Sequence, residues 1–307
     1  MKGNDALAFS PFSFLFSSFN SYFMPSLKEV KNRIASVQST RKITSAMKMV
    51  ASSKLHHAQQ RIDQMRPYEQ QLGRIFRAFV SDASEYVPYV TPRPVSKLAL
   101  LLFTSNSSLC GGFNNNAIKS FTAKVTELRA QGIEIAQVYA VGRKGLDAIR
   151  RMGFTAEDTY CEYLDHPNYD GAKQLAERIM ASYDAKEIDA CYMLYHHAQS
   201  TAHQVLRYEQ FLPLPLPQEA TREENNYIVE PSSEVIFSRL LPRVINLTLF
   251  AALLDSLASE HAARVVAMQV ATDNADELLR SLQLQYNKSR QSAITAELLD
   301  IVGGSMQ

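Results

Sequence analysis

Apolar residues along this chain fall into three regimes, and each predicts a different kind of element. Residues 26–66 contain neither glycine nor proline, and Leu27, Val30, Ile34 and Val37, then Leu55, Ala58, Ile62 and Met65, recur at three- and four-residue steps. That spacing keeps returning to one side of a helix and predicts a long helix with a narrow apolar stripe. Between the two clusters the stripe is small, with Ala46, Ala51, Ser52 and Ser53, which predicts close approach by a partner helix. Pro67 predicts a kink, after which Leu72, Ile75, Phe76 and Phe79 carry the helix on. Residues 243–302 again lack glycine and proline. At about 1.5 Å per residue that run would make a helix on the order of 90 Å long. Leu247, Phe250, Leu254 and Leu257, then Met268, Ala271, Ala275, Leu278 and Leu282, keep the period of a coiled-coil seam, interrupted at His261 and Arg264. Gly303-Gly304 end it.

The middle of the chain reads differently. "KLALLLFT" (97–104) is an unbroken apolar run of strand length, followed by a Gly111-Gly112 turn and a helical stretch over 116–130. "IEIAQVYAVG" (133–142) predicts a second strand and residues 146–152 a helix. Residues 172–183 predict another helix, and "IDACYMLYHH" (188–197) and "AHQVLRYEQF" (202–211) further strands. Alternating strands and helices imply a mostly parallel sheet covered by helices. The loop-rich stretch 212–231, "LPLPLPQEATREENNYIVEP", closes this domain. The predicted organisation is thus a helical segment over 24–90, an α/β domain over 91–232 and a second long helix over 233–307. Two long single-striped helices at opposite ends of one chain satisfy their seams most simply by packing antiparallel on each other, since helices in globular domains average about three turns.

Charge divides the two ends. Residues 26–66 carry nine Lys/Arg (Lys28, Lys31, Arg33, Arg41, Lys42, Lys48, Lys54, Arg61, Arg66) against Glu29 and Asp63, about +7 by formal count. Residues 243–302 carry five basic and seven acidic residues, about −2. The whole chain is close to neutral, with a formal charge of +1, which argues against a generally basic nucleic-acid binder. The cationic stretch has no aromatic residue interleaved with its charges, so an acidic protein partner or plain solvation fits it better than nucleic acid. Cys110, Cys161 and Cys191 are an odd, widely spaced set, which reads as reduced thiols. No stretch approaches the roughly 20 apolar residues of a membrane span. Residues 1–23 alternate phenylalanine with serine behind a single Lys2. They lack the arginines of a mitochondrial presequence and the cleavage site of a secretory signal, and they read as an extension ahead of a working start at Met24.

Candidate chemistry is sparse. The strand–glycine–helix unit at 98–118 invites a nucleotide site, but "SSLCGGFNNN" contains neither G-x-G-x-x-G nor G-x-x-x-x-G-K-[ST]. "VGRKG" (141–145) has two glycines and two cations without a hydroxyl for magnesium. Cys110 has no base in its local motif and reads as a small buried residue at a tight turn. His56-His57 and His196-His197, with His203, lack helical ligand spacing and read as surface or strand histidines rather than a metal site. The residues expose no catalytic constellation and call for no cofactor.

Both ends are more specific than their periodicity. "SLKEVKNRIASVQSTRKITSAMKMVASSKL" (26–55) resembles the opening helix of the gamma-subunit family of F-type ATP synthases. "SEHAARVVAMQVATDNADELLRSLQLQYNKSRQSAITAELLDIVGG" (259–304) resembles that family's closing helix, and "SSLCGGFN" resembles its GLCGGFN element, with Ser108 in place of the usual first glycine. The resemblance covers residues 24–307. It implies a fold: an asymmetric antiparallel coiled coil of the two terminal helices with a Rossmann-like α/β domain at its base. It also implies a role as a rotor shaft without catalytic residues or cofactors, standing inside a ring of three alpha and three beta subunits. Its foot would rest on the epsilon subunit and the c-subunit ring, so membrane association comes only through the complex. Proton flow would turn the shaft, at the cytoplasmic face of a bacterial membrane or, alternatively, on the matrix side of a mitochondrial one. By motif match, Met47 and Lys48 in "SAMKMV", Arg264 in the "ARVVAM" segment, and Arg290, Gln291, Thr295 and Glu297 in "RQSAITAE" are the expected coupling and rotor contacts. An α/β nucleotide-dependent enzyme with helical arms is the alternative reading, and a static coiled-coil scaffold a third.

Overall fold

The computed structural model describes residues 26–80, 89–156, 159–215, 230 and 233–305. The expected extension at 1–23 and most of the loop expected over 212–231 lie outside the described residues. The elements run α1 (Leu27–Val80), β1 (Lys97–Phe103), α2 (Phe113–Ala130), β2 (Glu134–Val141), α3 (Arg143–Arg151), a 3-10 turn (Thr159–Leu164), α4 (Tyr169–Asp184), β3 (Ala190–Ala198), β4 (Gln204–Leu212) and α5 (Ser233–Gly304). Each predicted element forms, with ends shifted by a few residues. The helix resumes after Pro67 as expected: α1 is one helix of 54 residues with Pro67 inside it, and α5 likewise carries Pro242.

The four strands form one sheet in the order β2-β1-β3-β4. β1 pairs parallel with both β2 and β3, so Leu101 lies opposite Tyr139 on one side and Met193 on the other. β4 returns antiparallel along β3 and forms an edge. The unbroken apolar run of β1 follows from this central place, because both of its faces are covered. Leu98, Leu100 and Leu102 pack with Phe121, Val125, Leu146 and Ile149 of α2 and α3. Ala99, Leu101 and Phe103 pack on the other face with Leu175 and Ile179 of α4, Phe76 of α1 and Leu249 and Leu253 of α5.

By their internal contacts the residues divide into two units, one comprising the chain up to Thr40 with that from Ala275 onward, the other Arg41–Asn274. Within the second unit α1 and α5 run antiparallel. Thr44 meets Thr272, Lys48 meets Gln269, Leu55 and Ala58 meet Ala258 and Ala262, and Phe76 shares a core with Leu241 and Ile245. The small stripe is narrower than expected: Ala51 is buried, whereas Ala46, Ser52 and Ser53 are exposed. In the first unit Val30, Ala275, Leu279 and Leu282 are buried. Leu279 takes the seam position expected of Leu278, which is 40% exposed. Steps of four and three residues from Ala275 reach Leu279 and Leu282, which keeps the seam on one side of the helix.

The structure corrects the reading of the chain's hydropathy. α5 contains a window apolar enough to span a membrane by length and composition, and 56% of that window is buried inside the fold. Its apolar surplus goes into covering the sheet, as in the core helix of a domain.

Candidate functional site

Around the interruption of the α5 seam the helix adds polar links to the sheet domain while Ala258 and Ala262 still pack on Leu55 and Ala58 of α1. Asp255 Oδ1 accepts the Ala198 backbone N–H at 2.8 Å, and its Oδ2 lies 2.5 Å from Nδ1 of His197 at the end of β3. One turn later Ser259 donates its hydroxyl to the His196 carbonyl at 3.0 Å. Glu260 Oε1 accepts Arg264 Nη2 at 2.7 Å, and the same guanidinium donates to the Ser108 carbonyl and, at 2.9 Å, to the Ser107 hydroxyl. Arg264 thus ties α5 to the turn after β1, and its side chain is 11% exposed. Burial raises the Glu260 carboxyl pKa, and Arg264 beside it opposes the shift.

That turn is built from its own side chains. Ser105 N–H donates to Asn114 Oδ1 at 2.9 Å, the Ser105 hydroxyl donates to the Ser107 carbonyl at 2.6 Å, and Asn114 Nδ2 lies 3.2 Å from Cys110 Sγ. Cys110 is 1% exposed, a small buried residue at a tight turn. The glycines of "VGRKG" also have structural duties. Gly142 sits at φ 117, and a Cβ there would fall 2.2 Å from the Thr104 carbonyl oxygen. The Gly145 N–H donates to the Thr104 hydroxyl at 2.8 Å, where a Cβ would again collide. These glycines let α3 pack against the end of β1, a close approach that side chains would forbid.

Met47 and Lys48 lie half-buried on α1, with Lys48 Nζ donating to Gln269 Oε1 of α5. Met47 and Arg264 both line a cavity of about 590 Å³ bounded by α1, the turn after β1, Asp165 and α5. Arg290, Gln291, Thr295 and Glu297 are exposed on the last turns of α5, where the Thr295 hydroxyl donates to the Gln291 carbonyl at 2.9 Å. The structure therefore brings Met47 and Arg264 to one cavity, keeps Lys48 in the helix–helix seam, and leaves the other four on an open helical surface.

The histidines depart from expectation in one respect. His56, His57 and His203 are exposed, but His196 on β3 is buried and stacks on Phe113 with ring centroids 4.2 Å apart. His261 on α5 is also buried. Burial holds both to a pKa of about 4, with Lys54 and Arg264 adding to the effect at His261. Among the described residues no group of three or more His, Cys, Asp or Glu is placed to hold a metal ion. Sequence reasoning missed Glu260, Asp255 and Thr272. Glu260 stands four residues before Arg264, a helical ion-pair spacing that could have pointed to it. Asp255 and Thr272 offer no such local signal, because their partners lie far away in the chain.

Fold and links together define a helix-pair protein whose Rossmann-like domain is fastened to the pair by buried polar contacts. Residues 26–306 match the family model described as ATP synthase. The chain is 52% identical over 288 residues to the ATP synthase gamma chain of Phocaeicola vulgatus, a match covering 92% of this chain and 100% of that one. It is 50% identical over 298 residues to that of Bacteroides thetaiotaomicron and 40% identical over 285 residues to that of Flavobacterium johnsoniae. These cover 92% of this chain in each case and 100% and 98% of the relatives. The chain belongs to the ATP synthase gamma family, whose members are the central-stalk subunit of F-type ATP synthase, a membrane-associated complex. Its fold is similar to that of a chain in the Tetrahymena thermophila mitochondrial ATP synthase central stalk and c-ring, with TM-score 0.53 and 24% identity over 75% of this chain and 99% of that one. It is also similar to a chain of the Euglena gracilis mitochondrial ATP synthase, with TM-score 0.59 and 18% identity over 91% of this chain and 93% of that one.

Proposed function

We propose that this chain is the rotor shaft that couples proton flow through a c-subunit ring to ATP synthesis, and to its reverse, in a ring of three alpha and three beta subunits. Its foot bears on the epsilon subunit and the c-ring at the cytoplasmic face of a bacterial membrane. The chain contributes no catalytic residue; the chemistry belongs to the alpha–beta interfaces. The observation that carries this reading is the change in α5 along its length. The helix is buried at Leu254, Met268 and Leu282, yet Leu298, Leu299 and Ile301 are more than half exposed. Burial fastens it to its own chain, and the exposed end is free to meet other subunits.

In this role Arg290, Gln291, Thr295 and Glu297 are the contacts made and released with beta subunits. A turning contact must exchange partners, and exposed hydrogen-bonding side chains do so more readily than interlocked apolar ones. Met47 and Lys48 meet the moving parts of the beta subunits from α1. Arg264 is a positioning residue that holds the turn after β1 against α5, so that the sheet domain follows the helix. The alternative nucleotide-dependent enzyme draws no support from the glycines of "VGRKG", which are taken up in packing against Thr104.

The test is reconstitution with alpha and beta subunits and single-molecule rotation of a probe on this chain under ATP. Co-purification and rotation are expected. The double variant Arg290→Ala, Gln291→Ala should still assemble, with ATP synthesis lowered roughly tenfold, the effect of losing one or two charge-assisted hydrogen bonds. Failure to assemble with alpha and beta subunits would overturn the reading.

A further inference from the structure

The end of β3 is where the sheet domain meets both long helices at once. Ala198, its last residue, packs against Leu55 and Ala58 of α1 and Ala258 and Ala262 of α5. Earlier in α5 the contact with this strand is apolar, with Leu249, Leu253 and Leu257 sharing a core with Met193 and Tyr195. Packing of that kind is non-directional. It resists separation of helix and sheet, but gives little resistance to a small turn or slide of one over the other. Directional links begin at Asp255, whose two oxygens take consecutive residues of β3. Oδ1 accepts the Ala198 N–H at 2.8 Å, and Oδ2 lies 2.5 Å from His197 Nδ1. One turn on, the fully buried Ser259 donates its hydroxyl to the His196 carbonyl at 3.0 Å. A hydroxyl inside a helix commonly bonds the carbonyl four residues back, as Thr248 does with Val244. Ser259 directs it to the strand instead, so two α5 residues spaced i, i+4 hold three successive residues of β3.

We propose that Asp255 and Ser259 are positioning residues that fix the angle of α5 against the sheet domain, so that torque entering through that domain reaches the helix without slip. The inference rests on the rotor reading above. A turning load requires the junction to resist twist, and hydrogen bonds supply that resistance because they weaken steeply when bent out of line. Arg264, further along α5, makes a second attachment at Ser107 and Ser108 in the turn after β1. β1 and β3 are parallel neighbours in the sheet, so α5 is held beyond the same end of two adjacent strands. Two separated attachments resist rotation of the helix better than either does alone.

The experiment uses the full chain assembled with alpha and beta subunits, the ring fixed and a bead attached through Lys119→Cys at an exposed position of α2. The native Cys110, Cys161 and Cys191 are buried and should not compete for the label. With rotation halted, the width of the bead's angular fluctuation reports the stiffness between sheet domain and ring. The double variant Asp255→Ala, Ser259→Ala should widen the angular variance about twofold, the result if directional links and apolar packing share the stiffness equally. Asp255→Asn keeps an oxygen for the Ala198 N–H and should stay close to the parent. Ile149→Val lowers stability in the core on the other face of the sheet and should leave the variance unchanged. If the double variant does not assemble, Ser259→Ala alone, which removes a single hydrogen bond, should assemble and broaden the variance by a smaller factor. A variance equal to the parent's in the alanine variants, or equal broadening by Ile149→Val, overturns the proposal and leaves the rotor reading standing. Failure of the parent chain to assemble would overturn the rotor reading and this inference with it.

Discussion

The sheet core and the helix seam of the second unit bury side chains by different rules. In β1 every residue from Leu98 to Phe103 is at most 2% exposed, and successive side chains enter two separate cores. In the seam between α1 and α5 around Ala51 and Ala58 the buried residues are few, and apart from Leu55 they are small. Ala51 and Ala58 are at most 3% exposed, while Met49 and Val50 beside them are 66% and 58% exposed. Polar pairs complete the seam, with the Thr44 and Thr272 hydroxyls 2.9 Å apart and Lys48 on Gln269. A central strand draws its stability from volume filled on both faces. A two-helix seam has one buried face, so residue size chiefly sets how closely the backbones approach, and much of the helix surface stays open to partners.

The largest test of that contrast lies in the sheet. Phe103→Ala removes a fully buried ring that packs edge-on against Tyr195, with centroids 6.3 Å apart. It should cost about 3–5 kcal/mol, read as a lowered urea midpoint. A loss below about 1 kcal/mol would erase the distinction between core and seam.

Acid is the next lever, and it acts where the helix meets the sheet. His196 and His261 have pKa values depressed to about 4 from an ordinary 6.5. The unfolded chain therefore binds more protons than the folded one between those values. Stability is fully present above pH 6.5 and is lost as pH falls toward 4, by roughly 3 kcal/mol per histidine. Urea midpoints across this window should fall with pH, and His261→Gln should flatten part of the slope. A variant with an unchanged slope would remove His261 from the account.

The smallest effect belongs to the seam itself. Lys48→Met removes the link to Gln269 but keeps most of the side-chain volume, so stability should change by less than about 1 kcal/mol. A larger loss would mean that the polar links hold the helices together as strongly as the sheet core holds its strands.

Much of this arrangement was legible from local pattern. The central strand announced itself as an apolar run because both its faces are covered, and α1 and α5 announced themselves through stripes at helical period. Leu279 escaped because neighbouring leucines at 278 and 279 both fit a repeat near 3.5, and only the partner helix selects between them. His261 and Arg264 were legible as a break in the seam, but Arg264 was not legible as the link from α5 to the turn after β1.

The sequence by itself determined the kinds of element, their order and the family to which the chain belongs, because periodicity and long terminal motifs are properties of neighbouring residues. Only the tertiary structure decided that Arg264 fastens α5 to Ser107 and Ser108, that Asp255 and Ser259 reach β3, and that Lys54, Arg61 and His261 share one cavity. These groups are separated by tens to hundreds of residues, and no local spacing encodes contacts that exist only once the helices have packed antiparallel and the sheet has closed beside them.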